Sequence, residues 1–202
     1  MSICVLDRKT DNRCAFIIEI TYQVNSDNEL MRMDVPLEYQ DDDFSCTPVC
    51  MSMVLKCIKD RFTSGFPDLT LGAISKAIKT SADEGGTTFL NIENINELFK
   101  KTSPFLEIVP QFGRKFEEII EEVKIKKRPV IAWVLMPDPV APYEHSVVIT
   151  DINEDKLIIY CNDPVYGRVE IPTRQFIEMW NGCSRILIKF RIGEKVTLFD
   201  FP

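Results

Sequence analysis

The spacing of apolar residues changes near Arg128, and that change limits what the chain can fold into. Before it, apolar positions recur at helical intervals, as in the stripe Val49, Met53, Val54, Cys57 and Ile58. After it they gather into short continuous runs, Pro129–Met136, Ser146–Ile152, Lys156–Tyr160 and Arg185–Ile192, of a length suited to buried strands. Helices and strands segregated along a chain predict an α+β domain. A helix-rich N-terminal lobe and an antiparallel β-sheet C-terminal lobe are expected, with a cleft between them.

Within the helical half, Pro48 suits a first helical turn, so a helix should begin close to it. Leu71–Lys79 is a second helix, with Asp68 and Thr70 as candidate caps. A third runs from Thr88 as cap to about Lys101, with Leu90, Ile95, Leu98 and Phe99 apolar, and a fourth covers Arg114–Lys127 after an extended segment, Phe105–Val109. In the second half one helix, Thr173–Trp180, interrupts the strands. At the start, the β-branched-rich runs Cys14–Val24 and Leu30–Val35 flank the polar cluster Asn25–Asn28, the pattern of a β-hairpin. Residues 1–35 are therefore expected to be a hairpin extension, and 36–202 the main domain. At 202 residues and 45% hydrophobic content the chain can bury one sizeable core.

Charge narrows the partners. With 31 acidic and 24 basic side chains the chain carries a formal charge of −7 and would repel phosphate backbones, so nucleic acid is not expected. The one dense basic cluster, Lys124, Lys126, Lys127 and Arg128, falls where a helix ends and complements its dipole. No stretch approaches the roughly 20 apolar residues of a membrane span, and no apolar run follows a basic start, so no membrane association is expected and the cytoplasm is the predicted location. Seven irregularly spaced cysteines without a CxxC pair suggest neither a disulfide framework nor a zinc site, and no cofactor or metal is expected.

Four residues carry candidate chemistry. Cys46 precedes the Pro48 helix, so its sulfur should lie at a helix N-terminus, where the dipole favours the nucleophilic thiolate. His145 is the only histidine and starts an apolar run, so any Cys–His mechanism must use it as proton acceptor. Asp163, after the Lys156–Tyr160 strand, can accept the imidazole Nδ1–H and fix its tautomer; Asn162 is an alternative orienter. Gln40, six residues before Cys46, can present an amide donor to an oxyanion beside the Cys46 backbone N–H. Each has an ordinary structural reading: core thiol, exposed imidazole, turn starter and polar loop residue. The chain order Gln, Cys, His, Asp makes the combination informative.

The segment Gln40-Asp-Asp-Asp-Phe-Ser-Cys46-Thr-Pro-Val-Cys50-Met-Ser-Met resembles the motif of C39 and C39-like cysteine peptidases of the papain-like superfamily, a glutamine followed by Asp-Cys-Gly-x-Ala-Cys-Leu-Ala-Met. Downstream, Arg128-Pro129-Val130-Ile131, His145-Ser146-Val147-Val148-Ile149-Thr150, Asp163-Pro164 with Gly167, Phe176 and Trp180 are also similar to that family. The resemblance spans roughly Pro36 to Phe190. It implies a papain-like cysteine peptidase fold hydrolysing peptide or protein substrates, with Cys46 as nucleophile, His145 as base and then acid, Asp163 as orienter and Gln40 as oxyanion donor. C39 peptidases cleave leader peptides after double-glycine-type sites within export transporters, whereas C39-like relatives stand alone. Ser45 and Thr47 depart from the motif's Asp and Gly, and β-branched Thr47 is expected to restrict the backbone beside the oxyanion site.

Several other features read as structure. Cys50, Met53 and Cys57 form a core stripe, Gly85-Gly86 a turn, and Trp133 and Trp180 core aromatics. Asp41–Asp43 form a solvated loop whose field opposes the thiolate and favours basic substrates. Alternatives to hydrolysis are transfer of the acyl group to an amine, isopeptidase action, and a non-catalytic module that binds peptide or protein.

Overall fold

The computed structural model describes residues 33–61, 69–100 and 102–193. The expected N-terminal hairpin lies outside them, except that Met33 and Val35 are seen buried in the core. The helical half supplies α1 (Cys46–Arg61), α2 (Leu71–Ala77), a 3-10 helix (Phe89–Ile95), α3 (Asn96–Phe99) and α4 (Phe116–Ile120), which runs into a π turn (Glu121–Ile125). The strands are β1 (Leu106–Gln111), β2 (Val130–Met136), β3 (Tyr143–Asn153), β4 (Ile158–Asp163), β5 (Gly167–Pro172) and β6 (Leu187–Ile192), with α5 (Thr173–Gly182) between the last two. They form one antiparallel sheet in the order β1-β6-β2-β3-β4-β5. The fold is α+β, as the change in apolar spacing implies.

Helix α1 is the core's main helical contribution. Its residues Val49, Cys50, Met53, Val54, Cys57 and Ile58 are all buried, and it packs against β3. Helix α5 lies close on β2, the strand beside β3. A Cβ at Gly182 would come within 2.6 Å of the Leu135 Cβ, so no larger residue fits that crossing without movement. Phe176 and Trp180 stack beneath it at 5.9 Å, and the Trp180 indole N–H donates to the Ile186 carbonyl at 2.7 Å. Between β3 and β4 the register slips after Ile149, leaving Thr150 as the extra residue of a bulge. Its hydroxyl donates to the Tyr160 carbonyl at 3.2 Å.

Three elements differ from expectation. The segment after Thr88 is a 3-10 helix rather than an α-helix, and Leu90 is 86% exposed while Ile92 is buried. Asparagines at three-residue intervals suit the tighter spiral: Asn91 Nδ2 donates to Thr88 Oγ1 at 2.8 Å and Asn94 Nδ2 to Asn91 Oδ1 at 3.4 Å. The helix expected over Arg114–Lys127 widens at Glu121, where Lys126 N–H reaches the Glu121 carbonyl, a five-residue span. Lys126 there bridges Glu121 at 2.8 Å and Glu122 at 2.9 Å, so the basic cluster is partly consumed in ion pairs. Finally, β5 occupies a stretch to which the sequence reading assigned no strand. Among the described residues no helix is long and apolar enough to cross a membrane, and no group of three or more His, Cys, Asp or Glu could hold a metal.

Candidate active site

The loop ahead of α1 is shaped by one carboxylate. Asp42 Oδ1 accepts the backbone N–H of Phe44 at 2.9 Å and of Ser45 at 2.7 Å, turning the chain so that the Ser45 carbonyl receives the Val49 N–H at 3.1 Å. Cys46, a partly exposed residue, is thereby the first of α1, at the positive end of a 16-residue helix. Asp41 and Asp43 are exposed, but Asp42 is a turn builder rather than one more solvated acid. Gln40 anchors the same loop. Its backbone N–H donates to the Pro164 carbonyl at 2.9 Å and its Nε2 to the Asp42 carbonyl at 2.5 Å, while its Oε1 is buried without a partner.

His145 is the third residue of β3, opposite Val134 on β2, and is buried. Asp163 closes β4 opposite Gly167. The two meet at 3.0 Å through His145 Nε2 and Asp163 Oδ1. The expectation that the carboxylate meets Nδ1 is therefore corrected. Asp163 Oδ1 is pinned over its own turn by the backbone N–H groups of Val165 at 2.7 Å and Tyr166 at 3.0 Å, and there it faces the other ring nitrogen. With Nε2 taken, Nδ1 is the ring nitrogen left for the Cys46 sulfur, with which the imidazole interacts electrostatically. Asn162, the alternative orienter, donates instead to the Val35 carbonyl at 3.0 Å and does not serve the ring.

Electrostatics sets Cys46 apart from its neighbours. Burial opposes its thiolate, but the His145 hydrogen bond and charge, with the Ser146 N–H and hydroxyl, outweigh that and lower the thiol below its ordinary value. Burial pushes Cys50 well up, aided by the nearby Cys46 and Asp163 charges. Burial likewise raises Cys161, and takes Cys183 to about 12. Burial alone would depress His145, yet its hydrogen bonds to Asp163 and Cys46 raise it to about 9. Both shifts push the pair toward a thiolate beside an imidazolium.

The surroundings include three tyrosines that sequence reasoning passed over and a threonine whose partner it did not foresee. Thr47 does not stand free beside the sulfur: its hydroxyl lies 2.7 Å from that of Ser146 on β3. Tyr39, Tyr143 and Tyr166 are exposed near the ends of the segments that carry Gln40, His145 and Asp163. Gly167 lies under one of them at φ +82°, where a Cβ would sit 2.9 Å from the Tyr39 hydroxyl, so both its backbone angle and its neighbour demand glycine. Asp-Pro with a glycine four residues on was the available signal. A separate concavity of about 700 Å³, lined by Asn96, Lys100, Phe105, Arg128 and Arg191 among others, contains none of the four candidate residues.

Residues 32–187 match the model of the Peptidase_C39 like family. The chain belongs to this family. Among solved structures, this C39-like chain resembles a double glycine motif protease from an AMS/PCAT transporter, crystallised with its leader peptide, at 23% identity and TM-score 0.53, over 80% of this chain and 94% of that one. It also resembles a Bacillus anthracis protein described as a C39-like peptidase, at 17% identity and TM-score 0.57, over 82% and 100%. The peptidase domain of Streptococcus ComA, a bi-functional ABC transporter involved in a quorum sensing pathway, matches at 18% identity and TM-score 0.52, over 77% and 97%. At such identities these likenesses establish the C39-like fold. No curated protein matches the chain.

Proposed function

We propose that this C39-like chain is a cysteine peptidase that hydrolyses peptide bonds through Cys46, His145 and Asp163. The observation that supports the reading is the 3.0 Å hydrogen bond from His145 to Asp163 beside a thiol that the same imidazole lowers, the imidazole itself being raised to about 9. The Cys46 thiolate attacks the substrate carbonyl carbon, and the C=O electron pair moves to oxygen. The Cys46 backbone N–H and the second N–H of Gln40 Nε2 receive that oxyanion, the first Gln40 N–H being held by the Asp42 carbonyl. When the tetrahedral species collapses, the C–N bond breaks and His145 gives its Nδ1 proton to the leaving amine. The resulting thioester is attacked by water. His145, now neutral, takes a proton from that water, and collapse returns the thiolate and releases the acid. Asp163 holds the ring through Nε2–H and stabilises the imidazolium.

Peptide as the substrate class is supported by the relative crystallised with a leader peptide. The exposed tyrosines 39, 143 and 166, together with Asp41 and Asp43, favour a substrate with apolar and basic residues near the scissile bond. The test is a cleavage profile on a proteome-derived peptide library, with Cys46→Ala as control. Cuts that vanish in the variant are expected. A library left intact by the native chain, or cut equally by Cys46→Ala, would overturn the reading.

A further inference from the structure

The concavity of about 700 Å³ beyond the candidate active site is bounded by α3, the start of β1, the end of β6 and the residues leading into β2. Lys100, Arg128 and Arg191 line it with a single acid, Glu107, on a chain whose formal charge is −7. Two of these cations have partners. Lys100 meets Glu97 at 2.5 Å, and Arg191 meets Glu107, opposite it on β1, at 3.3 Å. All four side chains are more than half exposed, so these pairs are weak and exchange readily. Arg128 is half-buried, and among the described residues no carboxylate pairs with its guanidinium. β2 pairs with β6 at Ile131↔Ile188 and Ala132↔Leu187, and the same register carried back sets residue 128 level with residue 191. Two like charges thus share one space, an arrangement that an anion between them relieves. The main chain there is closed to an added peptide strand. Asn96 Oδ1 accepts the Ile108 N–H at 2.8 Å and its Nδ2 donates to the Ile108 carbonyl at 2.9 Å. The Leu106 N–H donates to the Ser103 carbonyl at 2.9 Å and the Gly193 N–H to the Phe105 carbonyl at 2.7 Å. Recognition is left to the cationic side chains.

We propose that this concavity binds a small molecule bearing an oxyanion of two or more negative charges, gripped by the Arg128 and Arg191 guanidiniums with Lys100 at its margin. Planar guanidinium forks meet phosphate or carboxylate oxygens in pairs, which a lysine alone cannot do. The volume suits a metabolite-sized ligand, and Phe105 and Ile192 offer an apolar wall to its uncharged part. Phosphorylated and polycarboxylate molecules share this chemistry. The site is independent of Cys46 and of any peptidase activity. Its occupation has a structural effect as well. β6 is held by β1 along six positions but by β2 at only two, so a ligand bridging Arg128 and Arg191 closes that loose seam. Glu107 competes with the ligand for Arg191.

The experiment is isothermal titration of the full chain with pyrophosphate and with citrate at low salt, with melting temperature recorded in both. Saturable binding and a raised melting temperature are expected for at least one of them, since a ligand that binds only the folded chain stabilises it. Arg128→Gln, and separately Arg191→Gln, weakens that binding about tenfold, the loss of a hydrogen-bonded charge. Glu107→Gln tightens it by releasing Arg191. Arg174→Gln is the control. Arg174 is 93% exposed on α5 and outside the lining, so its variant removes the same charge and leaves the affinity within about twofold. Pyrophosphate favoured over citrate assigns the ligand to phosphorylated molecules, and the reverse order to polycarboxylates. No saturable binding of either anion overturns the proposal, as does an equal loss in Arg174→Gln, the mark of diffuse attraction. An oligoglutamate peptide that binds where neither small anion does would mark a protein-docking surface and overturn it too. Arg128→Gln leaves no carboxylate orphaned, so its melting temperature without ligand is expected to match the native chain's. Should that variant not fold, Arg191→Gln decides alone, an unchanged affinity being fatal.

Discussion

Replacing Asp163 with asparagine separates the charge of that carboxylate from its geometry. Three hydrogen bonds converge on Asp163 Oδ1, from His145 Nε2 and from the backbone N–H groups of Val165 and Tyr166. An amide oxygen in the same place keeps all three, so the turn and the ring orientation survive while the negative charge is lost. In the native chain burial depresses His145, but Asp163 first and Cys46 second raise it from 6.5 to about 9. That net rise corresponds to about 3.4 kcal/mol favouring the imidazolium. Assigning Asp163 about half of it moves the alkaline limb of kcat/KM acidward by about one to one and a half pH units in Asp163→Asn. The sign follows from the raised value. Imidazolium is present below the site's own midpoint and is lost as pH climbs through it, so a weaker partner brings that loss to lower pH. The assay is a kcat/KM profile from pH 5 to 10 on one cleaved peptide, with Asp163→Ala alongside. The alanine variant loses the charge and all three hydrogen bonds, so its rate falls further and the Val165–Tyr166 turn loosens. An Asp163→Asn profile whose alkaline limb stays near pH 9 would refute the electrostatic part of the argument.

Other expectations are simpler. Glu118 accepts from Arg114 at 2.5 Å and from Lys189 at 2.6 Å; burial opposes its charge, but these partners hold its carboxyl down at about 2. Glu118→Gln therefore costs about 1–2 kcal/mol in urea unfolding at neutral pH, a contribution present above the ordinary carboxylate range and lost as pH falls through about 2, so the variant and native curves converge in acid. Asp42→Ala strips two backbone N–H groups of the turn ahead of α1 of their charged acceptor, a loss of about 1–3 kcal/mol read as a fall in melting temperature with slower Cys46 alkylation. Gly182→Ala forces a Cβ against Leu135, and overpacking of this sort costs about 1–3 kcal/mol in denaturant unfolding. An unchanged midpoint in any of these measurements would count against the contact named.

Much of the fold was legible because burial imposes period. The α1 stripe and the apolar runs of β2, β3 and β4 emerge where their spacing puts them, and Thr70 caps α2 by accepting the Ala73 N–H at 3.2 Å. Strand β5 was missed although Val169 and Ile171 alternate with Arg168 and Glu170, a half-buried pattern hidden by the turn residues before it. Leu90 was misplaced because a 3.6-residue spacing was applied to a 3.0-residue spiral. In the site, the single histidine and the helix start singled out the pair that meets. Which imidazole nitrogen faces the carboxylate was not legible, because it depends on where the Asp163 turn holds its oxygen, a distance of a few ångströms that no residue pattern encodes. The Thr47–Ser146 contact spans 99 positions and involves two residue types common anywhere.

The strand order has a consequence for how the molecule comes into being. β6, latest of the strands to leave the ribosome, is inserted between β2 and the far earlier β1. Residues 106–111 thus wait for a partner about eighty positions away, and β2 keeps an open flank until that partner arrives. The unfinished chain holds Cys46 on a helix whose supporting sheet is incomplete, so clipping or truncation within 187–192 is expected to unsettle the proposed site without removing any of its side chains.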